Sequence, residues 1–218
     1  MTTSDSITAW AAVPIDSSRR VSMVVPCAGR VATLLIATRA ATYPLERLRV
    51  SPKFSAKPDS ALVARQQRES AMAASVSRAA HQTPRLWRAP FQPPRKSRVT
   101  SGFGGGRTFN GTVTSRHMCT DYAGAVGAPV FASNRGVVRL VDQFFLGGNV
   151  VYLDHGSGFV TAYLHLSRAR VAVGDTVDVG TVIGDVGATG RVTGPHLHFI
   201  ARYGSTTIDP TSLMRVRE

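Results

Sequence analysis

An all-β C-terminal domain, led by a short helical and irregular segment, is the fold class this sequence predicts. Three observations predict it. After Val99 short alternating runs recur at roughly ten-residue spacing, as in sandwiches and barrels. Glycines stand in the turns between those runs, and no long helical pattern interrupts them. This sets expected bounds of 97–218 for the β domain and 21–96 for a basic N-terminal segment, after a tail over 1–20.

The tail is Thr/Ser/Asp-rich and reads as disordered. Residues 21–41 follow Arg19 and Arg20 and resemble a signal peptide, with apolar residues and then small ones. Pro26, Gly29 and Arg30 interrupt that pattern, and the uninterrupted apolar core, 31–37, is short. A buried strand pair or an early start codon are the other readings. Residues 48–52 read as a short strand entering a turn. From 60 to about 80 Ala, Gln, Arg, Glu and Met dominate without Pro or Gly, which predicts a helix. Pro84, Pro90, Pro93 and Pro94 then predict a stiff linker. Strands are expected over 136–141, 149–153, 159–165, 170–173, 182–186 and 196–200.

The 218 residues carry 26 Lys and Arg against 13 acids, a net of +13. The excess is uneven: 14 basic and 5 acidic residues up to Arg95, 12 and 8 after it. A basic surface suits anionic partners such as an acidic lipid or an anionic cell-wall polymer, or is a solvated face without one. Nucleic acid is not expected, since stacking aromatics, a helix-turn-helix signal and zinc-finger spacing are all missing. Cys27 and Cys119 stand in segments of different character and predict no disulfide. No apolar run approaches the ~20 residues of a membrane helix.

Five of the six histidines fall between positions 117 and 198. In a strand, residues i and i+2 share a face. His117, Cys119 and Asp121 are therefore expected on one face, His196 and His198 on another, and Thr161, Tyr163 and His165 on a third. Strands lie about 4.8 Å apart, so such faces can converge on one metal ion. A catalytic zinc takes three protein ligands and keeps a position for water, whose pKa it lowers to about 7. Peptide hydrolysis also needs a base and a donor to the oxyanion. Five polar residues suit three ligands and two helpers.

A family resemblance is carried by Ser101-Gly-Phe-Gly with Arg107, Arg116-His117-Met-Cys-Thr-Asp121, Tyr163-Leu-His165-Leu, Gly187-Ala-Thr-Gly190 and Gly194-Pro-His196-Leu-His198-Phe. From about residue 90 to 213 the chain resembles the LytM or lysostaphin-type zinc peptidases, family M23. The resemblance implies mostly antiparallel sheets forming a groove, with His117, Asp121 and His198 as ligands of Zn2+. It implies His165 and His196 as the catalytic histidines, and the peptide stems of peptidoglycan as substrate, in the cell envelope. A silent relative that binds the wall and activates another hydrolase is the alternative, though such relatives usually lack a ligand. A carrier-domain reading of 171–180 fails for want of a lysine after Lys96. Cys119 stands where the family usually has glycine, either as a tolerated small residue or as a fourth ligand. Residues 102–106 are expected to wall the groove where a peptide backbone approaches, with Arg107 and Asn110 as substrate contacts. His155 reads as turn packing, Asp209 as a turn residue near the last strand, and His81 as an exposed polar residue of the linker. Which bond is cut, glycine bridge or D-alanyl link, stays open. The segment around residues 43–50 resembles what precedes the peptidase in some Gram-negative relatives.

Overall fold

The computed structural model describes residues 10–15, 20–27 and 30–217. The N-terminal part holds β1 (Val21–Cys27), β2 (Arg30–Ile36), β3 (Leu45–Leu48) and α1 (Ser60–Ala79). The β-rich part runs β4 (Val99–Ser101), β5 (Gly106–Phe109), β6 (Val113–Arg116), β7 (Thr120–Ala123), β8 (Pro129–Phe131), β9 (Gly136–Phe144), β10 (Gly148–Gly156), β11 (Phe159–Ala169), β12 (Thr176–Val177), β13 (Val182–Val186), β14 (His196–Tyr203) and β15 (Thr206–Ile208). A four-residue helix, α2 (Pro210–Leu213), follows. The architecture is all-β, as the alternation predicts, and mostly antiparallel, as the family resemblance implies.

The main sheet runs β12-β9-β10-β11-β14-β7-β4, with β13 pairing β11 and β8, and β15 pairing β14. Its central strands bury almost every residue, because both faces are covered. On one face Tyr163, Leu166, Leu197 and Phe199 pack with Val130, Val151, Leu153 and Ile183. On the other, Val160, Ala162 and Leu164 pack with Val150 and Tyr152 under Ala73, Val76 and Ala80 of α1. Helix α1 begins where Asp59 caps Leu62 N at 2.7 Å, satisfying one of the first-turn amides. It is tied to the sheet by Glu69, whose two carboxylate oxygens accept from Phe145 N at 2.9 and 3.0 Å.

A second, three-stranded sheet has the order β3-β5-β6. β5 and β6 form a hairpin, and β3, sixty-odd residues earlier, lies parallel to β5 with Glu46 opposite Arg107. The N-terminal segment thus supplies an edge strand to the sheet beside the cleft.

Several expectations change. Of the tail over 1–20, residues 1–9 and 16–19 lie outside the described residues, while Trp10 packs against Trp87 and Phe159. The signal-like stretch forms the β1–β2 ribbon, and Val24, Val31 and Leu35 stay exposed on it rather than buried. The proline-rich linker is no free spacer. Trp87 and Phe91 are buried beside Phe159 and Leu213, and the strap is tied down by Leu86 N to His155 O at 3.0 Å and Gln92 N to Ser133 O at 2.8 Å. Residues 170–173 do not form a strand. Ala172 N donates instead to Asp175 Oδ2 at 2.9 Å, and Gly174 turns the chain at φ 99°. A side-chain carboxylate has taken the bond that a ladder partner would have made.

Candidate metal centre

β14 and β7 pair in antiparallel register with His198 opposite Asp121 and His196 opposite Ala123. His198 also lies opposite Leu164 of β11. Residues opposite one another share a face, so Asp121, His196 and His198 stand on the face that carries Leu164, which also lines the cleft. His117 precedes β7 and is held by backbone bonds to the glycine-rich stretch: Gly104 N to His117 O and His117 N to Gly105 O, both 2.7 Å.

His165 reaches this face by breaking the alternation. Strict alternation would put it with Thr161 and Tyr163, which point into the core away from the site. Between the pairs Val151↔Tyr163 and Asn149↔Leu166 the β11 strand holds one extra residue, a β-bulge. His165 takes a left-handed φ of 62° within it. A non-glycine residue rarely adopts that conformation, and such strain of order 1–3 kcal/mol gathers at functional sites. The bulge carries the imidazole across, beside His196 and His198 at ring separations of 5.0 and 5.2 Å.

The donor atoms converge. His198 Nδ1 lies 2.9 Å from Asp121 Oδ1, and His117 Nε2 lies 3.1 Å from Asp121 Oδ2. Cys119 Sγ lies 3.2 Å from His198 Nδ1 and 3.9 Å from Asp121 Oδ1. All four ligand atoms fall within 4.8 Å of one another, as do those of His165, His196 and His198. A tetrahedral ion with ligands at about 2.0–2.2 Å sets its donors about 3.3 Å apart, so the spacing fits one shared cation.

Hydrogen bonds aim the rings. Carbonyls only accept, so His117 Nδ1–H donates to Gly102 O, His165 Nδ1–H to Thr189 O and His196 Nδ1–H to Gly194 O, each at 2.8 Å. Each leaves an Nε2 lone pair, the tautomer a metal or a proton requires. His117 Nε2 is buried, and its lone pair faces Asp121 Oδ2 with no proton between them and no hydrogen-bond partner, an orphaned acceptor that a cation would satisfy.

Electrostatics agree. Burial alone would raise the Asp121 carboxyl, but contacts with His117 and His198 outweigh it and hold the group far below the usual carboxylate range. Burial, then the neighbouring His198 and His196, push His165 well below its ordinary value. Burial likewise lowers His198, against the opposing pull of Asp121. Burial, then the Asp121 charge, raises the Cys119 thiol.

The site opens into a cleft of about 370 Å³ whose lining includes Glu46, Arg107, Phe109, Leu146, Arg191 and Pro195. Arg107 lines it, but its guanidinium is spent, with Nε on Glu46 Oε2 at 2.7 Å and one terminal nitrogen on Asp121 Oδ2 at 2.8 Å. The residue expected to contact substrate lines the cleft and is also an ion-pair partner of Asp121. Asn110 lies elsewhere. Its amide bonds Val50 and Ser55, so it pins the N-terminal segment and does not line the cleft. The glycine-rich stretch also differs from expectation. The space a Cβ would need at Gly104 is taken by the Tyr43 ring, 2.1 Å away, so a residue of the chain, not a peptide substrate, makes that close approach.

Sequence reasoning missed Glu46 as a cleft residue. Its carboxylate accepts from Ser101 Oγ at 2.6 Å as well as from Arg107. Nothing local marks it, because its partners lie 55 and 61 residues away. Arg191 was also missed, although it stands between quoted motifs. His155 is structural as expected. It is fully buried, and its Nδ1–H donates to Arg135 O at 2.8 Å, which leaves Nε2 to accept from the Thr161 hydroxyl at 2.7 Å. Asp209 caps α2, and His81 edges onto the Tyr203 ring.

A mostly antiparallel fold with a largely buried His/Asp/His donor set in an open cleft has the residues to hold a metal ion. Residues 115–210 match the model of peptidase family M23, so this stretch of the chain is an M23 peptidase domain. It is 47% identical over 83 residues to the peptidoglycan DD-endopeptidase ShyC of Vibrio cholerae, a match covering 38% of this chain and 19% of that relative. The chain therefore spans about a fifth of the length of this curated relative. A crystal structure from Pseudomonas aeruginosa assigned to peptidase M23 superposes with a TM-score of 0.71 at 26% identity, over 93% of this chain and 76% of that one. The catalytic domain of the antimicrobial peptidase lysostaphin from Staphylococcus simulans gives 0.50 at 32% identity, over 55% and 93%.

Proposed function

We propose that the protein is a zinc-dependent endopeptidase that hydrolyses peptide cross-links of bacterial peptidoglycan. The observation that carries this is the convergence of His117 Nε2, Asp121 and His198 Nδ1 with two further imidazoles, His165 and His196, in one cleft. Two imidazole nitrogens and a carboxylate suit zinc, which binds nitrogen and oxygen at about 2.0–2.2 Å. His117, Asp121 and His198 would hold it. Bound there, zinc supplies a Lewis acid and an acidified water.

The chain's own residues do the rest. His165 is desolvated and fixed by Thr189, so it stays neutral with its Nε2 lone pair available to take a proton from the attacking water. His196, fixed by Gly194, stands across from it to stabilise charge on the carbonyl oxygen once protonated. Arg107 bonds Asp121 Oδ2 and so orients the carboxylate. The M23 match and the ShyC likeness support peptidoglycan as the substrate and, with it, the cell envelope as the site of action.

Bound zinc and release of cross-linked muropeptides by the wild type and by His196→Ala test this reading. The variant is expected to retain zinc and to lose cleavage by about 100-fold or more, the usual range for a proton-transfer group. Zinc bound by the wild type with no cleavage of any wall would replace the reading with that of a silent wall-binding module. The basic residues up to Arg95 are proposed to hold the protein on anionic wall or membrane surface. Wall binding should then weaken between low salt and about 1 M salt, where the screening length falls to about 3 Å; binding insensitive to salt would remove this role.

A further inference from the structure

Two arginines line the cleft, and they are in opposite states. Arg107 is neutralised twice, by Glu46 and by Asp121. Arg191 has no carboxylate or hydrogen-bond acceptor on its guanidinium among the described residues. Its group lies over the Phe109 ring, 4.0 Å from the centroid, and its charged neighbour is another cation, Arg107. It is half-buried. A guanidinium is always charged and carries five donors, so leaving it half-desolvated beside a like charge is unfavourable unless an anion joins it.

Its placement is built. Arg191 N donates to Leu146 O at 2.9 Å. A Cβ at the preceding Gly190 would lie 2.4 Å from Gly148 N, so the 187–195 loop can press against the 146–148 turn only with glycine there. The same loop presents Thr189 O to His165. Arg107 and Phe109 are i and i+2 on β5 and share its cleft face. Arg191 therefore spans from the loop that aims one catalytic histidine to the strand whose arginine touches Asp121. An anion held by Arg191 would sit beside the reacting centre and not at a remote surface.

We infer that Arg191 is a specificity residue of the cleft, binding a free carboxylate that the peptide substrate carries close to the scissile bond. This rests on the proposed peptidase reading and deepens it, because the stem peptides of peptidoglycan carry free carboxylates. The planar fork suits a carboxylate bidentately, and Phe109 holds the fork flat from one side. A neutral amide at the same place would leave the buried charge unpaired.

The test compares two synthetic cross-linked stem peptides, one with free carboxylates and one with those groups amidated. They are presented to the zinc-loaded full chain and to its Arg191→Gln and Arg191→Lys variants. The wild type should prefer the carboxylate form in kcat/KM by about 10- to 100-fold, the worth of one charge-assisted pair. Arg191→Gln should bring that ratio close to one, and Arg191→Lys should leave it between, since an ammonium keeps the charge without the fork. Zinc content should be equal in all three proteins. Calorimetric binding of both peptides reads the same preference without turnover. A wild type indifferent to amidation, or a preference that survives Arg191→Gln, overturns the subsite while leaving the peptidase reading intact. A wild type that cleaves neither peptide defeats the peptidase reading, and the binding ratio alone then decides the subsite.

Discussion

Cys119 is the residue whose chemistry departs most from what its family resemblance implies. Its sulfur is fully buried and lies within ligand distance of the same point as Asp121 and His198. A thiolate there would make a four-ligand site, the closed form typical of structural zinc, where a catalytic site keeps a position open. With cobalt in place of zinc, the wild type should show a thiolate-to-metal charge-transfer band that Cys119→Gly lacks. The glycine variant should hold the metal more weakly and hydrolyse faster. Identical spectra would leave Cys119 as a buried small residue and nothing more. The carboxylate and imidazoles around it were legible from residue type and spacing. The sulfur's proximity was suggested by alternation, but it took the pairing of β7 with β14 to bring His198 to it.

At the scale of elements, the site depends on places where regular structure is interrupted. The β11 bulge is one, and Gly187 makes it possible. A Cβ at Gly187 would lie 2.3 Å from Ser167 N and 2.7 Å from His165 O. Those are backbone atoms of the bulge and cannot rotate aside. Gly187→Ala should therefore cost about 1–3 kcal/mol of stability, read as a lower Tm, and should cut hydrolysis more than zinc binding, because His165 moves while His117, Asp121 and His198 do not. Equal loss of zinc and activity would mean that the whole centre has shifted. The strands at 136–141, 149–153, 159–165, 182–186 and 196–200 were legible as short apolar runs between glycine-bearing turns, even where, as in β10 and β11, both faces are buried. The strand expected at 170–173 was not formed, because Asp175 supplies a local acceptor that period-two reasoning does not see. Helix α1 was legible from composition over nearly its full length.

For the molecule as a whole, stability should depend on acid through a residue outside the cleft. Burial lowers His155 to about 4, against about 6.5 for an ordinary imidazole. The unfolded chain therefore takes up the proton first as pH falls. The stabilisation is fully present above about pH 6.5 and is lost on the way to about pH 4, amounting to roughly 3 kcal/mol. Denaturant unfolding at pH 7.5, 5.5 and 4.5 should show this loss. In His155→Gln the profile should be flatter over the same window, from a lower starting stability; an equally steep profile would assign the acid sensitivity to other groups. His155 matters at this scale because it joins separate layers, bonding Arg135 and Thr161 while Phe91 of the proline-rich strap packs edge-on to its ring.

By itself the sequence determined the all-β class, the polar residues that meet in the cleft and the helix over 60–79, because periodicity, residue chemistry and spacing act over a few positions. The tertiary structure alone decided that His165 crosses faces through a bulge, that Glu46 reaches Arg107 across 61 residues, and that Arg191, not Arg107, keeps an unpaired charge in the cleft. It also decided that Asn110 pins a loop and that the proline-rich segment packs as a strap. These outcomes depend on which distant groups satisfy one another's charges and hydrogen bonds once buried, and no short window of the chain contains both partners.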